Sequence, residues 1–449
     1  MKSHLTEFQE IMKKENLNQI VIDTFSNYYE KVLKGATGLL TKSEISTPSA
    51  ENVRTYEALK NQDKELLDKL AIIKLNGGLG TSMGLKRAKS LLPVKNKMNF
   101  LDIIAKQVKS LHREAGKKVP ILFMNSFNTQ KDTLEFLKSY PSLKIDGLPL
   151  DFVQNKFPKV KKSNFAPLKN SNDNLNWNPP GHGDIYMALT ISKVLDKLLD
   201  KGIEYIFVSN SDNLGAIVDY KILTYLHESE SSFLMEVCNR TEMDKKGGHL
   251  AETKDGKLVL REIAQCPSSE LKEFQNIEKY KYFNTNNLWI NLKHLKTKMD
   301  ENNNVLQLPL ILNQKEVEGE KVYQIETAMG AAINVFENSK AIVVPRSRFS
   351  PVKKTNDLLA VWSDAYELTK DNRIILTAKQ APIVDLDSKY YKSIYKMKKR
   401  FLDVPSLKEC KRLTVKGDVT FGKNLKFKGN IDLETTSQTK LQNLSITNN

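Results

Sequence analysis

The sequence predicts an α/β fold built on a mostly parallel sheet. Three observations carry this reading. Short, continuous apolar runs occur at 71–75, 119–124 and 205–209. Helix-spaced apolar stripes alternate with them: Leu101, Ile104, Ala105, Val108 and Leu111 form one, and Ile185, Ala188, Leu189, Val194, Leu195 and Leu198 another. A glycine-rich loop, 77–84, follows the first run directly. Strands that are apolar on both faces and alternate with helices belong to parallel sheets covered on both sides. Ligands of such sheets bind beyond the carboxyl ends of the strands. The loops after Leu75, Met124 and Ser209 are therefore where chemistry is expected.

Taken in order, residues 5–34 and 54–70 show helical spacing, with Leu59, Leu66, Leu67 and Leu70 roughly on one face. Strand 71–75, helix 101–111, strand 119–124 and helix 129–138 follow. Residues 158–180 have no periodicity and many Asn, Lys and Pro, which predicts a long surface excursion. Helix 185–198 and strand 205–209 restore the alternation. Residues 413–433 alternate apolar and polar, with glycines at 417, 422 and 429. Short strands broken by regular turns predict a separate C-terminal β-domain, either a parallel β-helix or a small sandwich. The strand pattern stops near Leu433, and the polar remainder is expected to fray.

The chain has 449 residues, and 69 Lys+Arg against 53 Asp+Glu give a net charge of +16. A hydrophobic content of 40% with 27% charged residues excludes wholesale disorder. At about 100–200 residues per domain, the length predicts two to four domains. No apolar run approaches the ~18 residues of a membrane span. Residues 1–25 carry charges throughout and contain no signal-peptide stretch. Three cysteines cannot build a disulfide framework, which predicts a reducing compartment. A soluble, cytoplasmic protein with no membrane partner is expected. Residues 389–400 combine Lys389, Lys392, Lys396, Lys398, Lys399 and Arg400 with Tyr390, Tyr391 and Tyr395. This reads as a solvated helix face with tyrosines on the core, and no nucleic-acid partner is expected. A broadly positive surface also steers small polyanions to a site.

The chemistry begins at Leu75-Asn76-Gly77-Gly78-Leu79-Gly80-Thr81-Ser82-Met83-Gly84. Glycines here let backbone N–H groups approach phosphate oxygens without a Cβ in the way. A Walker loop is excluded, because no pair of these glycines has the Gly-x4-Gly-Lys spacing. A Gly-x-Gly-x-x-Gly fingerprint fails at Met83. Gly77-Gly78-Leu79-Gly80-Thr81, followed by Lys89-Ser90-Leu91-Leu92, instead resembles the nucleotide-sugar pyrophosphorylases. Lys74 to Gly84 resembles, more narrowly, the eukaryotic-type UTP–glucose-1-phosphate uridylyltransferases. The resemblance continues through Met124 to Thr129, Phe152 to Pro158, Pro179 to Tyr186, Val208 to Gly215, Tyr282 to Trp289 and Arg348 to Lys353. These blocks run in family order from about 71 to 357.

The resemblance implies a Rossmann-like nucleotidyltransferase catalytic domain with a mixed, mostly parallel central sheet. A helical N-terminal segment and a C-terminal left-handed parallel β-helix flank it, with domains at 1–50, 51–380 and 381–449. The implied reaction is attack by glucose 1-phosphate on the α-phosphorus of UTP, giving UDP-glucose and pyrophosphate. Such catalysis is positioning and charge stabilisation, with no covalent intermediate needed. The resemblance assigns Lys353 the principal catalytic role and gives Lys89, expected at the start of the helix after the glycine loop, a phosphate contact. Asp212 would bind Mg²⁺, which takes few protein carboxylates beside phosphate oxygens and waters.

Leu75, Asn76, Gly77, Gly78, Gln154, Gly181 and Asp212 are implied for the nucleotide. A side-chain amide such as Gln154 can accept from uracil N3–H while backbone N–H groups donate to a carbonyl. His182, Asn210, Ser211 and Asn286, with Gly248 and Glu262, are implied for the sugar phosphate. Two alternatives stand beside this: a relative acting on N-acetylglucosamine 1-phosphate or several sugar phosphates, and a non-catalytic nucleotide-sugar-binding relative. The polar C-terminal tail and the net charge predict a monomer.

Overall fold

The computed structural model describes residues 3–448. Eight strands form the spine of the central sheet: β1 (Val53–Thr55), β2 (Leu70–Asn76), β3 (Ile121–Asn125), β4 (Asp151–Val153), β5 (Tyr205–Asn210), β6 (Phe233–Asn239), β7 (Tyr282–Asn291) and β8 (Ser339–Val343). Their order is β1-β8-β6-β7-β5-β2-β3-β4. Strand β7 runs antiparallel to both its neighbours, and every other pair in this row is parallel. The sheet is mixed and mostly parallel, as the sequence predicts.

Successive side chains of a strand point to opposite faces, so each central strand feeds two cores. Ile72, Phe123, Phe207 and Trp289 pack on one face with the helix Phe100–Ala115. Ala71, Ile73, Leu122, Ile206 and Val208 pack on the other with Ile185–Ile191 and Val194–Asp200. Because β7 is reversed, its start meets the carboxyl end of β5: Val208 pairs with Leu288. Asn286 thereby reaches the same sheet edge as Asn210.

Several expectations are corrected. Residues 5–34 form two helices, Leu5–Lys14 and Gln19–Leu33, because Asn18 caps the second by accepting from Ile20 N–H at 2.9 Å. Residues 54–70 are not a helix. They contain part of β1 and two 3-10 turns, and Asp63 binds Glu65 N–H and donates its own N–H to Thr224 Oγ1. Leu59, Leu66, Leu67 and Leu70 are buried as expected, but from turns and a strand. The 185–198 stripe breaks at Lys193, whose φ of +61° ends one helix before the next begins.

The 158–180 excursion is anchored where it carries apolar residues. Phe157–Pro158 pairs with Trp177–Asn178, and Val160–Lys161 pairs with Glu320–Glu326. Phe157, Val160 and Trp177 are buried against Phe8, Phe25 and Tyr29 of the N-terminal helices. Near the C-terminus, Ile383–Leu386, Ser406–Lys416, Leu425–Glu434 and Leu444–Asn448 pair in parallel, as do Val419–Phe421 and Thr439–Leu441. Strand structure therefore runs past Leu433, where the sequence pattern was expected to stop. The last strand has no buried residue, so its apolar alternation is too weak to read from sequence.

A buried ion pair joins the strands to the loops that follow them. Glu236 of β6 is fully buried and takes Arg348 Nε at 2.8 Å and Nη2 at 2.5 Å. Trp289 Nε1 and Asn287 Nδ2 donate to the same carboxylate, and Arg348 Nη2 also reaches Ile217 O. Removing one partner of such a pair leaves an uncompensated buried charge. Arg348→Met is expected to cost about 3–5 kcal/mol of stability. Urea denaturation checks this, and a loss under about 1 kcal/mol would show that the pair is dispensable.

Candidate active site

A cleft of about 300 Å³ opens at the carboxyl edge of β2, β3 and β5. Its walls include Leu75 to Gly78, Lys89, Gln154, Gly181, His182 and Asn210 to Asp212. Most of the residues expected at the site thus converge on one cleft. Ser90, Met124 and Pro179 line it as well, and sequence reasoning gave them no role.

The glycine loop forms the wall after β2. Asn76 turns its amide into the protein, donating to Asn125 Oδ1 and Thr133 Oγ1 at 2.8 Å. It supports the loop and leaves the backbone to face the cleft. Gly77 has a steric reason: a Cβ there would lie 2.8 Å from Gln154 Nε2. The Gln154 amide rests directly on the Gly77 backbone. Buried Asp184 fixes the adjoining chain by accepting from Asn155 N–H at 2.6 Å and Nδ2 at 2.8 Å. Burial raises the Asp184 carboxyl to about 6, against the lowering effect of those two bonds. This residue lay inside a quoted motif, yet nothing in its spacing marked it as a support.

Lys89 differs from expectation in one respect. It opens a 3-10 turn, Lys89–Leu91, and the helix begins only at Phe100. The potential of the Phe100 helix N-terminus is therefore not beside it. Its N–H closes the loop onto Gly78 O at 3.0 Å. Its ammonium meets Asp212 Oδ2 at 2.5 Å, with the two side chains 14% and 22% exposed. The other oxygen, Asp212 Oδ1, is buried and has no hydrogen-bond partner. Ser211 is largely occupied: its N–H and hydroxyl both donate to Leu75 O, tying the β5 loop to β2.

Lys353 reaches the same corner from β8. Val352 N–H donates to Asp212 O at 3.1 Å, and Asn213 bridges Pro351 and holds Arg348 O and Ser350 N–H. Asp357 then accepts both the Lys353 and Lys354 N–H groups at 2.8 Å. Its carboxyl is raised by burial, while those amides and then the charges of Lys353 and Lys89 oppose the rise. Lys353 itself is exposed, lies outside the cleft walls, and ends 6.0 Å from the Phe349 ring.

Gly181 has φ +80°, and a Cβ there would strike Thr327 O at 2.3 Å. His182 Nδ1 accepts from Met329 N–H at 2.9 Å, which leaves the proton on Nε2. Burial and then Lys353 lower its pKa to about 4, so the ring is neutral at physiological pH. Gly248, Glu262 and Asn286 are not among the cleft walls. Gly248 lies against the Glu262 carboxylate, which a Cβ would approach to 2.6 Å. Glu262 is raised by burial and lowered by Lys353, which places these residues around the Lys353 charge. Asn286 has φ +57° and exchanges hydrogen bonds with Asn284 at 2.9 Å.

Among the described residues, no group of three or more His, Cys, Asp and Glu could hold a metal alone. Asp212 nevertheless offers one unpartnered carboxylate oxygen. That donor fits Mg²⁺, which completes its shell from phosphates and water. A carboxylate, two lysines and a glycine loop suit binding of a phosphorylated nucleotide and charge stabilisation during phosphoryl transfer.

Comparison with known proteins agrees with this geometry. A family model described as UTP–glucose-1-phosphate uridylyltransferase matches residues 22–428. The Solanum tuberosum enzyme of that name is 43% identical over 93% of this chain and 89% of its own. The Encephalitozoon cuniculi enzyme is 40% identical over 97% and 88%. The structure of a Leishmania major UDP-glucose pyrophosphorylase mutant in complex with UDP-glucose is 42% identical, with a TM-score of 0.93 over 100% of this chain and 98% of that one. The Trypanosoma brucei UDP-glucose phosphorylase gives 42% and 0.89 over 99% of each chain. By its sequence and by its fold, the chain belongs to the UTP–glucose-1-phosphate uridylyltransferase family.

Proposed function

We propose that the protein forms UDP-glucose and pyrophosphate, reversibly, from UTP and glucose 1-phosphate. The observation that carries this reading is the convergence of Lys89, Asp212 and the Lys353 loop at one end of the cleft. The uracil ring takes the end where Gln154 rests on Gly77, its N3–H given to the amide oxygen. Backbone N–H groups of the glycine loop meet phosphate oxygens. Lys89 and Lys353 offset the charge of two anionic reactants and hold attacking and leaving oxygens in line. His182 presents Nε2–H to the sugar phosphate as a neutral donor. Asn210 and Asn286, with Glu262 beside Gly248, supply partners for sugar hydroxyls. A Mg²⁺ ion held by Asp212 would neutralise charge on the nucleotide phosphates.

The same reading takes the parallel C-terminal strands as a left-handed β-helix and the divisions 1–50, 51–380 and 381–449 as domains. No helix among the described residues is long and apolar enough to cross a membrane, and the inferred location is the cytoplasm. A monomer is inferred from the net charge of +16 and from a last strand whose outward residues, Leu444 apart, are polar.

Four outcomes are expected. Gly77→Ala pushes the Gln154 amide aside, so KM for UTP rises roughly tenfold while thermal stability stays unchanged; an unaltered KM would remove Gln154 from base recognition. Lys353→Ala lowers kcat at least about 10²-fold, the scale of losing one preorganised charge, whereas Asp212→Asn abolishes the magnesium-dependent activity and leaves the fold intact. Pyrophosphate release measured across a panel of sugar 1-phosphates checks both, and full activity in either variant would displace the assignment. Light scattering after size exclusion at physiological salt gives a monomer mass at all concentrations; a stable larger species would overturn the inferred state.

A further inference from the structure

A second, larger cavity of about 730 Å³ lies on the sheet face that carries the Phe100–Ala115 helix, within the range of small-molecule sites. Ile72, Phe207, Ile104 and Val108 line it but are almost wholly buried, so its apolar surface comes from half-buried Leu111, Val218, Tyr56 and Tyr220, beside the polar Gln107 and Ser110. The rim is charged, and its charges are unevenly matched. Each acid there is already held. Asp219 pairs with Arg348 at 3.7 Å, Glu114 with Lys64 at 3.9 Å and Asp371 with Arg373 at 2.5 Å, and Tyr56 and Tyr220 hydroxyls donate to the first two. Three of its cations are not neutralised in this way. Arg113 reaches only Ser110 Oγ, Lys221 lies 5.7 Å from the Tyr56 ring, and Lys370 is exposed. Among the described residues none of these three has a carboxylate within ion-pair distance.

We propose that this cavity binds a small amphipathic carboxylate, its hydrocarbon or aromatic body between sheet and helix and its charge at the Arg113, Lys221 and Lys370 rim. The apolar part of the wall, Leu111, Val218, Tyr56 and Tyr220, rewards removal of hydrocarbon from water, and the surplus rim cations select an anion over a neutral ligand. Buried Lys74 lines the cavity without serving as its anion receptor. Its ammonium is already bound to Ser209 Oγ at 2.7 Å and Ala216 O at 2.8 Å. Lys74 and Ser209 immediately precede Leu75 and Asn210 of the catalytic cleft, so the two sites share a wall but not a ligand.

The test is titration of the full-length protein with 8-anilino-1-naphthalenesulfonate, an apolar-bodied anion whose fluorescence rises out of water. One saturable site per chain is expected, displaced by decanoate and not by decanol. The rim variant Lys221→Glu/Lys370→Glu reverses two rim charges and should weaken the probe at least about tenfold, whereas Lys298→Glu should not. Val108→Trp fills the interior and should abolish displaceable binding; if that variant does not fold, the rim variant decides alone. Saturating UDP-glucose should leave the probe bound. The proposal is overturned by non-saturable binding, by equal displacement with decanol, by an unaffected rim variant, or by displacement with UDP-glucose.

Discussion

The buried Glu236–Arg348 pair is the constraint on which the arrangement of the site depends. A carboxylate at the centre of a sheet is costly unless its charge is paired and its lone pairs are filled. Arg348, Trp289 and Asn287 do both. Since Arg348 lies in the loop after β8, satisfying Glu236 also fixes the course of the chain toward Lys353. The carbonyl of Arg348 is in turn held by Asn213, in the loop that carries Asp212. One electrostatic requirement of the interior therefore sets the relative position of the Lys353 loop and the Asp212 loop.

Around that anchor the site is assembled mostly from backbone. Leu75 O accepts from Ser211, Gly77 O from Ser126, and Asp212 O from Val352. These bonds join loops from three parallel strands and from β8 before any substrate is present. Preorganisation of this kind lowers the ordering that binding and reaction must supply. The Lys89–Asp212 contact fits the same logic: each group is held by the other at the place where phosphate would meet the lysine.

Much of this was legible in sequence because the signals were local. An apolar run followed by glycines marked β2 and its loop, and a carboxylate after β5 marked Asp212. Supports that act through the fold were not legible. Asp184, Asp357 and Thr327 are ordinary residues in sequence, and their roles exist only because distant segments bring Asn155, Lys353 and Gly181 to them. The 54–70 segment failed for a related reason. Its leucines do point inward, but Asp63 and Thr224 hold the chain in turns, and a periodic pattern of burial does not distinguish a helix from turns packed on the same core. The strands after Leu433 were missed because an exposed edge carries little alternation to read.

Gly77, Gly181 and Gly183 have a consequence for how this protein can vary. A Cβ at Gly183 would meet Thr327 Oγ1 at 2.3 Å, as one at Gly181 would meet the carbonyl of the same residue. This end of the cleft is thus closed by glycines packed directly on the Gln154 amide and on Thr327, so a side chain at any of the three has to displace a neighbour. Near Lys353, by contrast, Glu262 presents a side chain from a turn, and its carboxylate has room only because Gly248 lacks a Cβ. Divergence within such a scaffold is therefore channelled: substitutions at the glycine-walled end must be accompanied by changes at Gln154 or Thr327.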